Sequence, residues 1–295
     1  MESNIRNALT VDVEDYFQVA AFSGQIDPRN WDQFTLRVER NTQTLLGLFD
    51  EHDIKATFFV LGWVAERCPD LVRSIAVNGH EVACHGYSHQ LIYGQKPEVF
   101  REETLRSKAC LEDQAQTAVS GYRAASYSIT SRSLWALDIL EEAGFSYDSS
   151  IFPVHHDRYG IPNSPRWPYR VATANGASLI EFPPSTFSLL GYRLPVAGGG
   201  YFRLYPYRFT RAALYHINRS EQKPFIFYLH PWEIDPDQPR IPAGVLSRFR
   251  HYVNLSRCEN RLRRLVQDFD FTTVRNTLED CVIPEGVRVE ELAGT

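Results

Sequence analysis

The chain has 295 residues, and its 31 basic and 36 acidic side chains leave a formal net charge of −5 with no lysine or arginine run, which gives no support to a nucleic-acid footprint or a polybasic membrane patch. A hydrophobic fraction of 43% with 13% aromatics is ample for one substantial buried core, and five scattered cysteines without a CxxC pair exclude a disulfide frame or a cysteine zinc site. No window approaches 18 uninterrupted apolar residues and residues 1–7 lack a basic n-region and an apolar h-region, so the reading is a cytoplasmic chain without a membrane span.

In chain order, residues 8–13 read as a buried strand running into the acidic cluster Asp12, Glu14 and Asp15. Helically spaced Val38, Leu45, Leu46 and Phe49 predict a helix to about residue 50. A strand over 57–61 follows, then a helical segment over 63–77 that Pro69 must break or restart. A short apolar strand then leads into His85-Gly86-Tyr87-Ser88-His89. Residues 98–111 form an amphipathic helix and 120–123 a short strand. Ser131 is placed as the cap of a helix that ends at Gly144. Strands are predicted over 145–151, 179–182 and 225–230, with a further one over 271–274. A helix is read over about 206–218, and Ser256-Arg257-Cys258-Glu259 has capping-box form at the start of another. A helical extension begins near 242, and the acidic segment 284–295 is expected to be loose.

Short strands alternating with helices predict an α/β chain built as a distorted (β/α) barrel of about seven strands, a single domain over 1–283, with a doubly wound open sheet as the alternative. In a barrel the C-terminal strand ends share one mouth. Asp12, Glu14, His85, His89, Arg123, Asp148 and His230 all fall at such ends. Two histidines four residues apart aim at one point if the chain turns helically after the strand, and that is half of a metal site.

Five stretches occur in the order of the motifs of one known family. These are Asp12-Val13-Glu14-Asp15, His85-Gly86-Tyr87-Ser88-His89, Gly121-Tyr122-Arg123, Tyr147-Asp148-Ser149-Ser150 and Tyr228-Leu229-His230-Pro231-Trp232-Glu233. The chain resembles the polysaccharide deacetylases, also called carbohydrate esterase family 4 or the NodB homology domain. Leu229 to Asp235 and His251-Tyr252-Val253-Asn254-Leu255 resemble the subgroup found near bacterial exopolysaccharide and exosortase gene clusters. The resemblance implies metal-dependent removal of an N-acetyl group from an N-acetylhexosamine polymer or oligomer.

By the same resemblance, His85 and His89 are metal ligands and Asp12 is the general base. The family's usual second aspartate is replaced by Val13, so Glu14 is placed as the carboxylate ligand with Asp15 in reserve. The implied cofactor is a divalent metal, zinc first, with cobalt, nickel or iron accepted by the same ligand set. His230 matches the general acid, Arg123 the arginine that holds the base ionised, and Asp148 a carboxylate beside the acid histidine. A backbone N–H near Tyr127 is expected at the oxyanion, and Trp232, Tyr87 and Tyr127 are substrate-binding candidates. Two other functions stay open: hydrolysis of small cyclic or linear amides in the manner of an allantoinase, and carbohydrate binding by a metal-dead relative.

Overall fold

The computed structural model describes residues 5–284 and 286–293. Each of the first strands alternates between two buried faces. In β1 (Asn7–Val13), Leu9, Val11 and Val13 enter the large core beneath the helices, while Ala8, Thr10 and Asp12 face the other way. The same division holds in β2 (Thr57–Val60) and β3 (Glu81–Cys84), where Phe58, Val60, Val82 and Cys84 lie on the helix side. Burial on both faces explains why these strands read as continuous apolar runs.

Helices α1 (Val38–Glu51), α2 (Gly62–Arg67), α3 (Pro69–Val77), α4 (Pro97–Ala115) and α5 (Trp135–Glu142) connect β1, β2, β3, β4 (Gly121–Tyr122) and β5 (Tyr147–Asp148). Pro69 ends one helix and opens the next, as its missing N–H requires. Then come β6 (Tyr169–Ala172), β7 (Ser178–Glu181), the hairpin β8 (Thr186–Leu189) and β9 (Tyr192–Pro195), α6 (Gly199–Leu204), α7 (Tyr207–Arg219) and β10 (Ile226–Leu229). The chain closes with α8 (Val245–Tyr252), α9 (Leu255–Asp268), β11 (Phe271–Thr272), α10 (Val274–Glu279), β12 (Val287–Arg288) and α11 (Val289–Ala293).

The main sheet has the order β10-β1-β2-β3-β4-β5-β7-β6-β12, with β11 also paired to β1. All of its pairings are parallel except β6 with β7. The order rises from β1 to β5 without the central reversal of a doubly wound sheet. No pairing joins the end strands β10 and β12 among the described residues, so the structure shows a mixed α/β sheet, and the expected distorted barrel is not shown. The sheet is strongly curled nonetheless. Ala8, Phe59, Ala83, Tyr147, Phe182 and Ile226, from both halves of the path, form one inner cluster, although flat neighbours would be spaced about 4.8 Å per strand.

Three local expectations are corrected. Ser131 does not cap α5, which begins at Trp135 behind a turn in which the Thr130 N–H donates to Ser133 Oγ. Ser256 does not cap α9: Asn254, in the left-handed region at φ +53°, occupies that place. The segment after 284 is not loose over its described residues, because β12 pairs with β6 and Leu292 is buried.

Candidate metal centre and active site

Because β10 and β1 to β5 run parallel, their C-terminal ends open on one side, and period two puts Asp12, His85, Arg123 and His230 on the inner face there. Glu14, just past β1, joins them. One donor atom each from Glu14, His85 and His89 lies within 4.8 Å of the others. The His85 Nδ1–H donates to the Arg123 carbonyl at 2.8 Å, which leaves Nε2 as the lone-pair nitrogen toward the cluster. His89 reaches the same point through a backbone in the left-handed region, φ +52°, with Nε2 2.6 Å from Glu14 Oε2.

This donor set fits a divalent metal. Glu14 Oε2 is buried and faces His89 Nε2 with no other polar partner among the described residues, so an oxygen and a ring nitrogen converge where a cation would be held, and two imidazoles with one carboxylate suit zinc and its first-row neighbours. Burial would raise the Glu14 carboxyl, but the neighbouring charges of His89 and His230 outweigh it and hold it well below the usual carboxylate range. Burial lowers His85 to about 4, so its ring is neutral and ready to ligate.

Asp12 stands beside the cluster and takes a different partner. Its Oδ1 accepts from Arg123 Nη1 at 2.6 Å, and the same nitrogen donates to Thr10 Oγ1 at 2.8 Å. Arg123, only 1% exposed, also donates from Nη2 to Ser149 Oγ and from Nε to the Ser149 carbonyl. The Asp12 side chain is thereby fixed in position, with Oδ2 4.0 Å from His230 Nε2.

His230 lies across the same cavity, its side chain 17% exposed, with Nε2 3.6 Å from Glu14 Oε1. Its Nδ1–H donates to Glu233 Oε2 at 3.2 Å, and its backbone N–H to the same oxygen at 3.0 Å. Glu233 is buried and paired with Arg203, whose Nε donates to Oε1 at 2.6 Å. Arg203 spends its other N–H groups on the carbonyls of Arg250, His251 and Val253. Burial works against a charged His230 ring, yet Glu14, the hydrogen bond and charge of Glu233, and Asp12 push it up to about 9. Glu233 was not singled out in the sequence, although its place three residues after His230 is a capping-box spacing; Arg203 left no local signal.

Asp148 is not beside His230. It pairs in register with Glu181 on the next strand, both fully buried, and the two side chains share a hydrogen bond. Burial raises both carboxyls, so the pair shares a proton between them. Asp148 accepts from Ser150 Oγ, which in turn accepts from the Ala124 N–H, so the pair shapes the backbone next to Arg123.

Asp15 accepts the N–H groups of Arg37 and Val38 at the start of α1, a capping position apart from the histidines. Tyr127 lines the cavity with its ring, but its N–H is committed to the Ala124 carbonyl and is not free for an oxyanion. Tyr87 turns away from the cavity: its hydroxyl donates to Glu66 and the Arg106 guanidinium stacks over its ring. Trp232 lines the cavity, is stacked between His230 and His251, and donates its Nε1–H to Glu14 Oε1 at 3.1 Å. The resulting open cavity of about 200 Å³ also presents Tyr159, Tyr228 and Arg250.

Comparison with known proteins bears on this constellation. Residues 30–147 match the polysaccharide deacetylase family model and residues 149–279 match a domain of unknown function, DUF3473. The first model starts after Asp12 and Glu14, and the second contains His230 and Glu233. A peptidoglycan deacetylase of Helicobacter pylori is 27% identical over 56% of this chain and 52% of its own length. The chain spans about half the length of the curated relatives it matches. Among solved structures, a putative polysaccharide deacetylase from Mycobacterium smegmatis superposes with a TM-score of 0.59 at 22% identity, covering 100% of this chain and 91% of that one. Puue allantoinase gives 0.56 at 15% identity, over 98% and 89%. Two adjoining family models thus span most of the chain, residues 30–147 matching the polysaccharide deacetylases and residues 149–279 the DUF3473 domain.

Proposed function

We propose that the chain is a metal-dependent N-deacetylase that hydrolyses the acetamide of an N-acetylhexosamine unit in a polysaccharide or its precursor, as part of bacterial exopolysaccharide assembly. The observation that carries the reading is the pairing of two differently held groups across one cavity. A carboxylate fixed by Arg123 faces an imidazole fixed by Glu233, with the Glu14, His85 and His89 cluster beside them.

Glu14, His85 and His89 would hold the ion, which when bound supplies Lewis-acid polarisation of the carbonyl and an acidified water. Asp12 accepts the proton of the attacking water; Arg123 keeps it ionised and aimed. The amine leaves poorly unless protonated, and His230 carries that proton on Nε2 while Nδ1–H stays with Glu233. Trp232 closes the apolar side of the cavity. A bound cation would offset the pull of Glu14 on His230, which leaves Glu233 as the principal counter-charge.

A second reading, hydrolysis of a small cyclic or linear amide, draws support from the one-residue spacing of Asp12 and Glu14 and from the modest cavity. Both readings are tested by one assay: acetate release from N-acetylglucosamine oligomers by zinc-reconstituted protein, beside hydrolysis of a hydantoin and with Asp12→Asn and His85→Ala as controls. Acetate from the wild type alone supports deacetylation. Hydantoin hydrolysis without acetate shifts the assignment to the second reading, and a protein that binds no metal and turns over neither substrate overturns both.

A further inference from the structure

Helix α8 packs the wrong way round for an ordinary surface helix. At about 100° per residue, Val245, Phe249 and Leu246 fall on one arc, and they are 85%, 53% and 60% exposed. On the opposite side His251 is 3% exposed, stacked on Trp232 and hydrogen-bonded to Gln238. The apolar stripe therefore points to solvent and the imidazole points to the core. A globular helix normally does the reverse.

The flanks of the stripe are cationic. Arg248 lies on one side and Arg250 on the other, both exposed, and Arg240 reaches the same edge with its guanidinium 4.1 Å over the Tyr252 ring. None of the three forms an ion pair among the described residues, and residues 236–254 hold these three arginines against the single acid Asp237, in a chain of net charge −5. Arg250 also lines the mouth of the catalytic cavity.

We propose that α8 is an interfacial docking element for an anionic lipid bilayer, with Val245, Leu246 and Phe249 entering the acyl boundary and the arginines meeting lipid phosphates. An apolar stripe bordered on both sides by unpaired arginines matches a surface that is apolar within and negative at its rim. The charge pattern selects a bilayer over a second copy of this chain, whose same patch would bring arginines against arginines. No helix of the described residues is long and apolar enough to cross a membrane, so attachment is peripheral and presents the cavity mouth to the lipid surface. The inference does not depend on the hydrolytic reading of the cavity.

The test is flotation of the full chain with vesicles of equal parts phosphatidylglycerol and phosphatidylcholine, and with phosphatidylcholine alone. Wild type is expected to float with the anionic vesicles and to be released by salt. Leu246→Ser with Phe249→Ser should lower the partition coefficient about tenfold or more, and Arg240→Gln with Arg248→Gln by about the same factor. Val77→Ser, which removes an equally exposed valine from α3, should float as wild type does. Failure of wild type to bind anionic vesicles, or undiminished binding by both double variants, overturns the proposal. So does a concentration-dependent dimer in sedimentation velocity that Phe249→Ser dissolves, since the stripe would then be an interface between copies.

Discussion

Glu233→Gln separates a positioning role from a structural one. The carboxylate sits between His230 and Arg203, and the distance from 6.5 to about 9 for His230 is worth about 3 kcal/mol in favour of the charged ring. That preference is shared by Glu14, Glu233 and Asp12 against the cost of burial. With a metal neutralising Glu14, removal of the Glu233 charge should forfeit about 1.5 kcal/mol or more, one pH unit at least. The sign follows from the direction: a raised histidine is charged below its folded value, so a general-acid activity falls as pH rises through that value, which a metal offsetting Glu14 brings below about 9. In Glu233→Gln the basic limb of kcat/KM should therefore move down by about one unit or more. The glutamine keeps an oxygen for Arg203 but leaves that buried guanidinium without a counter-charge, which should cost about 3 kcal/mol of folding stability. The assay is acetate release across pH 6 to 10, held well below a Tm measured for each protein. An unmoved basic limb alongside a lowered Tm would show that Glu233 only braces Arg203, and the acid assignment of His230 would lose its support.

Other substitutions probe the rest of the site. Glu14→Gln should abolish stoichiometric zinc binding by isothermal titration, whereas Asp15→Asn should retain it and lose about 1 kcal/mol or more of stability as an α1 cap; the opposite result would make Asp15 the ligand. Arg123→Met leaves the Asp12 carboxylate buried without its cation and should cost about 3–5 kcal/mol in denaturant unfolding, together with at least about a hundredfold in kcat, while Arg123→Lys should recover part of both. Asp148 and Glu181 are raised carboxyls, so their contribution to stability is full below about pH 4 and is lost as pH rises through their folded values, about 6 for Asp148. Asp148→Asn supplies a donor to Glu181 at every pH and should flatten the fall in stability between pH 5 and 9; an unchanged slope refutes the shared proton. A Cβ on Gly198, where φ is +128°, would lie 1.9 Å from the Tyr228 carbonyl oxygen, so Gly198→Ala should lower stability by at least about 2 kcal/mol, and an unaffected Tm would refute the close approach.

What the sequence revealed follows from how locally each feature is encoded. Asp12, His85 and His230 were readable because each ends an apolar run, and a parallel pairing carries all such ends to one side. His89 followed because Gly86, at φ +75°, breaks the strand and lets the chain turn back. The same turn sends Tyr87 toward Glu66 and Arg106, which period counting cannot foresee. Asp148 was misassigned because its partner, Glu181, lies 33 residues away across a β5–β7 pairing that jumps over β6. Strands β6, β8 and β9 were missed because they lie in or just past a stretch rich in proline and polar residues, and two of them bury only part of one face.

The site's asymmetry explains the remainder. Its two candidate proton carriers are held by arginines of different origin: Arg123 comes directly off β4, whereas Arg203 comes from α6, after a glycine turn with no strand or helix periodicity. A base needs a cation beside it to stay ionised, and an acid histidine needs an anion beside it to stay protonated. The chain meets both needs with buried pairs, Arg123 with Asp12 and Arg203 with Glu233. The second pair also ties α6 to the C-terminal end of α8 through the carbonyls of Arg250, His251 and Val253. On the proposed mechanism the DUF3473 half thus does more than extend the fold: it carries the candidate acid His230, its counter-charge Glu233 and the arginine that holds Glu233, while the first half carries the candidate metal ligands and base.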